Sequence, residues 1–177
     1  MGYLKQYTVN FKELELGEHN FEFKIEDAFF EHFEKSEVHE GNLDMHVNLL
    51  KEERLITLSI KIDGSVNVMC DRCLDYFEYP INYKGILYLN LSPNFEEDRV
   101  DVINIEEDQG KINLAQHFYE NIHLSLPLKR VHPDDEQGNS TCNQEMLKLL
   151  EKYQKEEDKD SIDPRWEKLR DIRDGKN

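Results

Sequence analysis

The chain has 177 residues, 38% of them hydrophobic and 34% charged, with a formal net charge of −16 at pH 7. That length suits one compact domain, or one domain with an appendage. The acidity argues against a protein that grips nucleic acid across a basic face, and no apolar run approaches the ~18 residues that cross a bilayer.

From the N-terminus, residues 3–11 mix β-branched and aromatic side chains and read as strand. Phe21, Phe23 and Ile25 alternate with Glu22 and Lys24 at period two. Asp27 breaks that period and is placed to cap a short helix, residues 27–34, with Phe29, Phe30 and Phe33 facing the core. Leu43, Met45, Val47 and Leu49 alternate next, Lys51-Glu52-Glu53-Arg54 forms a charged turn, and Ile56, Leu58, Ile60 and Ile62 return. Asp63-Gly64-Ser65 carries turn chemistry before Val66, Val68 and Cys70, which predicts three consecutive antiparallel strands with one wet face. Phe77, Tyr79 and Ile81, then Leu87, Leu89 and Leu91 beyond Gly85, alternate again. Cys70-Asp71-Arg72-Cys73 is therefore expected at the tip of a hairpin.

In residues 92–108, Glu96, Glu97, Asp98, Asp101, Glu106, Glu107 and Asp108 stand against Arg99 alone, around a short predicted strand over 100–105. Apolar residues from Ile112 to Ile122 recur at helical spacing, predicting a helix over 113–124 capped by Asn113 and stopped by Pro127. Residues 129–139 read as a polar loop, and Ser140 is placed to cap a helix over 141–153. From Glu151 onward nine acids meet eight bases, so −15 of the net charge belongs to residues 1–150 and the acidity is that of the folded body. Asp163-Pro164-Arg165-Trp166 looks like a helix start, with Trp166, Leu169 and Ile172 as a narrow apolar stripe. The predicted fold is α+β: a mainly antiparallel sheet, with barrel-like closure as a variant, a few short helices and a helical C-terminal tail. Residues 1–153 are expected as one strand-rich domain and 154–177 as a charged tail.

Three cysteines with one CxxC pair point to thiol chemistry or a metal in a reducing compartment, not to a disulfide framework. The N-terminal residues lack a signal peptide's apolar region, so a cytoplasmic location is expected. A redox CxxC opens a helix after a parallel strand, whereas here the flanks are antiparallel and Asp71 sets a negative charge between the sulfurs. A zinc knuckle needs two further ligands, for which His132 and Cys142 are the candidates. The third reading is plain packing, with Cys70 and Cys142 as small hydrophobes and Cys73 in the turn. His39, His46, His117 and His123 are expected on solvated faces. Asp134 and Asp135 beside His132 suit a hard cation or a solvated loop. Glycine-rich phosphate loops, GxSxG and HExxH are absent from the sequence.

Val68-Met69-Cys70-Asp71-Arg72-Cys73-Leu74, Ile112-Asn113-Leu114 leading to Leu124-Ser125-Leu126-Pro127-Leu128, and Asp163-Pro164-Arg165-Trp166-Glu167-Lys168-Leu169 occur in this order. In that order the chain resembles the bacterial YceD family, the large ribosomal RNA subunit accumulation proteins, from about Val66 to Leu169. The resemblance implies a non-enzymatic cytoplasmic protein that supports accumulation or processing of large-subunit (23S) rRNA. In the family a His or Cys and a further Cys tend to follow the Leu-Pro segment, which His132 and Cys142 match; this strengthens the structural-zinc reading of Cys70, Cys73, His132 and Cys142. Asn113 departs from an acid common there, and residues 1–65 show no family pattern.

The acidity then suggests action through a basic ribosomal or assembly protein, or a pre-50S particle, with the seven acids of residues 92–108 as the contact. Direct RNA contact through Lys129, Arg130, Arg165, Arg170 and Arg173 is the lesser option. A thiol- or zinc-dependent enzyme and a generic acidic adaptor docking through Trp166 are the alternatives.

Overall fold

A computed structural model describes residues 2–91, 102–105 and 109–153. The chain divides into two units, Met1–Thr141 and Cys142–Asn177. The seven acids of residues 92–108 lie outside the described residues, as does everything from 154 onward, including the Trp166 stripe and Arg165, Arg170 and Arg173.

The first unit opens with a 3-10 helix, Tyr3–Tyr7, then β1 (Thr8–Asn10), β2 (Gly17–Ile25), α1 (Asp27–Phe30), β3 (Glu40–Lys51), β4 (Leu55–Met69) and β5 (Tyr76–Asn90). β6 (Val102–Asn104), β7 (Lys111–Asn113) and α2 (Ala115–Leu124) follow. β2 to β6 form one sheet in sequence order, antiparallel except for β6, which runs parallel to β5. The fold is thus α+β with a mainly antiparallel sheet. Its strand order is linear, and among the described residues β2 and β6 are not paired to close a barrel.

Alternation determines which face is buried. Leu43, Met45, Val47, Leu49, Ile56, Leu58, Ile60 and Ile62 point inward and are almost wholly buried, as side chains two apart share a face of a strand. Over them pack aromatic rings from outside the sheet. Tyr7 meets Phe29 at 5.1 Å and Phe118 at 6.2 Å, both edge-on, geometries that the ring quadrupoles favour. Each such buried ring contributes about 2–3 kcal/mol. α2 is aimed by a small second sheet, β1 against β7, extended by the Leu114 N–H donating to the Tyr7 carbonyl at 2.9 Å.

Several local expectations are corrected. Residues 3–7 form a 3-10 helix instead of strand, because Tyr7 must turn inward to reach Phe29 and Phe118, and packing overrides propensity. The helix after β2 spans only 27–30, and the Asp27 Oδ1 accepts the Gly41 N–H at 2.9 Å instead of capping it. The helix expected from 113 starts at Ala115, residues 111–113 being strand; Asn113 still helps to start it, its Oδ1 accepting the Ala115 N–H at 2.9 Å. His117 and His123 are half-buried, unlike the exposed His39 and His46. The His123 Nδ1 lies 2.9 Å from the Tyr119 carbonyl, one turn back on α2.

The largest correction concerns residues 63–65. They are not a turn but the middle of β4, with Gly64 opposite Leu43 on one side and Ile81 on the other. Gly64 has φ +148°, and a Cβ there would lie 2.2 Å from the Asn42 carbonyl oxygen. Glycine serves a close approach of backbones here, a use it shares with turns. β5 is likewise continuous through Pro80 and Gly85; Pro80 lies in the stretch of β5 without a described partner on its far side, where a missing N–H costs no ladder bond.

In the second unit α3 spans Gln144–Tyr153, not 141–153. Asn143 caps it, its Oδ1 accepting the N–H groups of Glu145 at 3.0 Å and Met146 at 3.3 Å. Ser140 is bridged to Asp134 instead.

Gly64→Ala is expected to lose about 2–4 kcal/mol in urea unfolding, from strain and a backbone clash together. Gly138→Ala, at φ +82° with open space around it, should lose only about 1 kcal/mol.

Candidate metal centre

β4 ends at Met69 and β5 starts at Tyr76, so Cys70 to Asp75 make the hairpin tip, as expected. The Cys70 N–H donates to the Asp75 carbonyl at 2.9 Å and the Leu74 N–H to the Cys70 carbonyl at 3.0 Å. Leu74 adopts φ +64°, a left-handed residue that lets the chain reverse right after Cys73. The turn thereby holds two thiols on its inner side, with Cys70 0% and Cys73 1% exposed.

A clasp fastens a distant loop to this tip. The Asp71 N–H donates to the Arg130 carbonyl at 2.7 Å, and the Arg130 N–H donates to the Asp71 Oδ2 at 2.7 Å. Asp71 thus turns its charge to the loop backbone, not to the sulfurs. The Arg130 guanidinium pairs with Glu37 at 2.8 Å. The Arg72 Nη1 donates to the Ser140 Oγ at 3.4 Å, and the Thr141 Oγ1 donates to the Pro133 carbonyl at 2.6 Å. Both ends of the loop that carries His132 are therefore tied down.

His132 sits with its Nδ1 3.5 Å from the Cys73 Sγ and its ring 4.6 Å from that of Phe77. Cys142 follows Thr141 directly in the chain. Cys70, Cys73, His132 and Cys142 each offer one ligand atom, and these atoms all lie within 4.8 Å of one another. Three thiols and an imidazole at this spacing form a cluster able to coordinate a metal ion.

The electrostatics suit thiolate. Burial raises the Cys70 thiol, but hydrogen bonds to it from the backbone N–H groups of Cys73, Arg72 and His132, with the His132 ring, bring it down from 9.0 to about 6. N–H dipoles aimed at the sulfur stabilise negative charge there. The Asp135 carboxylate is taken up otherwise: exposed, it accepts the N–H groups of Asn139 and Gln137 at 2.7 and 2.9 Å, which lowers its carboxyl, while Asp134 pairs through its backbone with Ser140.

Sequence reasoning pairs the four ligand candidates but misses the clasp. Asp71 and Arg130 carry no signal of it, since the bonds involve backbone groups 59 residues apart.

Asp71→Ala removes a charge-assisted bond to the Arg130 N–H and should lower stability by about 1–3 kcal/mol. Hydrogen exchange at the Arg130 amide should accelerate, whereas exchange within β3 should not.

A family model described as large ribosomal RNA subunit accumulation protein YceD matches residues 58–173. No curated protein and no solved structure matches the chain.

Proposed function

The chain belongs to the YceD family, and on that premise we propose that it supports accumulation and processing of 23S rRNA through a basic ribosomal or assembly protein, its loop held by a structural zinc ion. The family is described as one of accumulation proteins, which supports a non-enzymatic role. Among the described residues no helix is long and apolar enough to cross a membrane. The observation that carries the proposal is the match over residues 58–173, which spans both the CxxC turn and the loop after Pro127.

Partner recognition is assigned to Glu96, Glu97, Asp98, Asp101, Glu106, Glu107 and Asp108. Seven acids against one base in residues 92–108 favour a basic protein surface and repel free RNA at long range. Pull-down with the full chain should recover ribosomal proteins, less as salt rises. Neutralising four of the acids should abolish recovery; recovery of naked rRNA alone, after ribosomal proteins are stripped, would defeat the reading. Gradient sedimentation should place the protein with pre-50S particles.

Zinc is assigned to Cys70, Cys73, His132 and Cys142, a set that fills all four positions of a tetrahedral site, as structural sites do. When bound, the ion would cross-link the hairpin tip to a loop with no helix or strand of its own. Native mass spectrometry should find one zinc per chain and none in Cys142→Ser. The lowered Cys70 thiol supplies thiolate at neutral pH, so metal should be retained there and released on acidification, as protons compete with it for the ligands. Chelation should lower the melting temperature, since an ion bound only by the folded state stabilises it.

A further inference from the structure

The outward face of the sheet carries a second group of polar side chains, brought together by strand register. Glu22, His46, Lys61 and Lys84 lie side by side across β2, β3, β4 and β5. Asn20, Asn48, Ser59 and Ile86 form the adjacent row on the same face. A groove of about 550 Å³ lies along the two rows, a volume typical of small-molecule sites. Lys61 is eight residues along β4 from the metal centre's end of the strand, roughly 26 Å at the rise of extended chain. The groove is therefore separate from the zinc site and its reading does not rest on that site.

Charge in the first row is unbalanced. Lys61 and Lys84 stand directly opposite each other on neighbouring strands, and like charges so placed repel. His46 lies opposite Lys61 on the other side and adds an imidazole to the row. His46 has Glu22 at 3.5 Å and Lys61 has Asp63 at 2.5 Å. Lys84 is exposed, and no acid among the described residues pairs with it. These bases adjoin one another in a chain of net charge −16. The second row adds uncharged donors in the Ser59 hydroxyl and the amides of Asn20 and Asn48, which already bond each other at 2.9 Å. Ile86, 50% exposed, supplies an apolar wall.

We propose that this groove binds a small organic molecule through a phosphate group. A doubly charged phosphate between Lys61 and Lys84 turns their repulsion into two attractions, lysine being a point-charge binder of phosphate. The Ser59 and Asn20 donors complete the anion's hydrogen bonds, and the organic part lies along Ile86.

The test uses the full chain at physiological salt with pyrophosphate as the probe, followed by amide chemical shifts. Saturable shifts are expected at His46, Ser59, Lys61, Lys84 and Ile86. Lys61→Gln and Lys84→Gln should each bind about tenfold more weakly, the loss of one charge-assisted contact. The melting temperature of Lys84→Gln should not fall, because it removes a like-charge repulsion without breaking an ion pair, and Lys24→Gln, outside the groove, should bind as the parent does. Three outcomes would overturn the proposal: shifts that do not saturate and spread over all lysines, equal shifts with sodium sulfate at matched ionic strength, or RNA binding at these residues without pyrophosphate binding.

Discussion

The pairing of β4 with β5 is the constraint on which the rest of the molecule depends. The two strands run antiparallel in unbroken register from Leu55 opposite Asn90 to Met69 opposite Tyr76. A slip of one residue would move every side chain to the other face, taking Ile56, Leu58, Ile60 and Ile62 out of the core and Thr57, Ser59 and Lys61 into it. The same register delivers Cys70 to a six-residue tip and sets Lys61 against Lys84. Gly64 is where this long pairing meets a steric limit set by backbone, with β3 close against it.

At the tip, local and distant bonds converge. Within the turn the backbone N–H groups of Cys73 and Arg72 point at the Cys70 sulfur, and the distant His132 adds its own. The exchange between Asp71 and the backbone of Arg130 then brings His132 alongside. A loop of this composition buries too little apolar surface to hold itself, so polar bonds to the hairpin carry it. A metal shared between turn and loop would reinforce the same attachment, which is why the proposed zinc is structural: its ligands are deeply buried or half-buried, and four protein ligands leave no open position for chemistry.

Charge is distributed with a consequence of its own. The acids of residues 92–108 follow β5, while the outward face of the same strand carries Lys84 beside Lys61 and His46. A strongly negative chain repels anions at long range, so an anion in the groove has to be held by close contacts and not by the general field. The proposed partner attraction through the acidic segment and the proposed anion capture on the sheet draw on opposite signs of charge and could be altered separately.

Much of the fold was legible along the chain. Period-two alternation marks β2 to β5 and identifies their buried faces, and helical spacing marks α2 and α3. The CxxC pair between alternating runs declares a hairpin tip. The reading of Asp63-Gly64-Ser65 as a turn fails for a physical reason: a glycine needed for a reversal and a glycine needed for close strand approach look alike locally. Parity carried the better signal, because Ile60, Ile62, Val66 and Val68 keep the same phase through Gly64, as an uninterrupted strand does. Caps were misplaced by similar ambiguity, Ser140 and Asn143 being equally suitable in type and only the latter adjoining the helix that forms.

The sequence by itself determined the periodicities, the α+β class, the family and the set of four candidate ligands. Tertiary structure alone decided that Asp71 would bind the backbone of Arg130, that Tyr7 would turn inward from a 3-10 helix, and that three basic side chains would share one row. Propensity and periodicity act between neighbours a few residues apart, so they are written in the chain. Contacts across tens of residues depend on register and on closing long loops, which only the assembled sheet supplies.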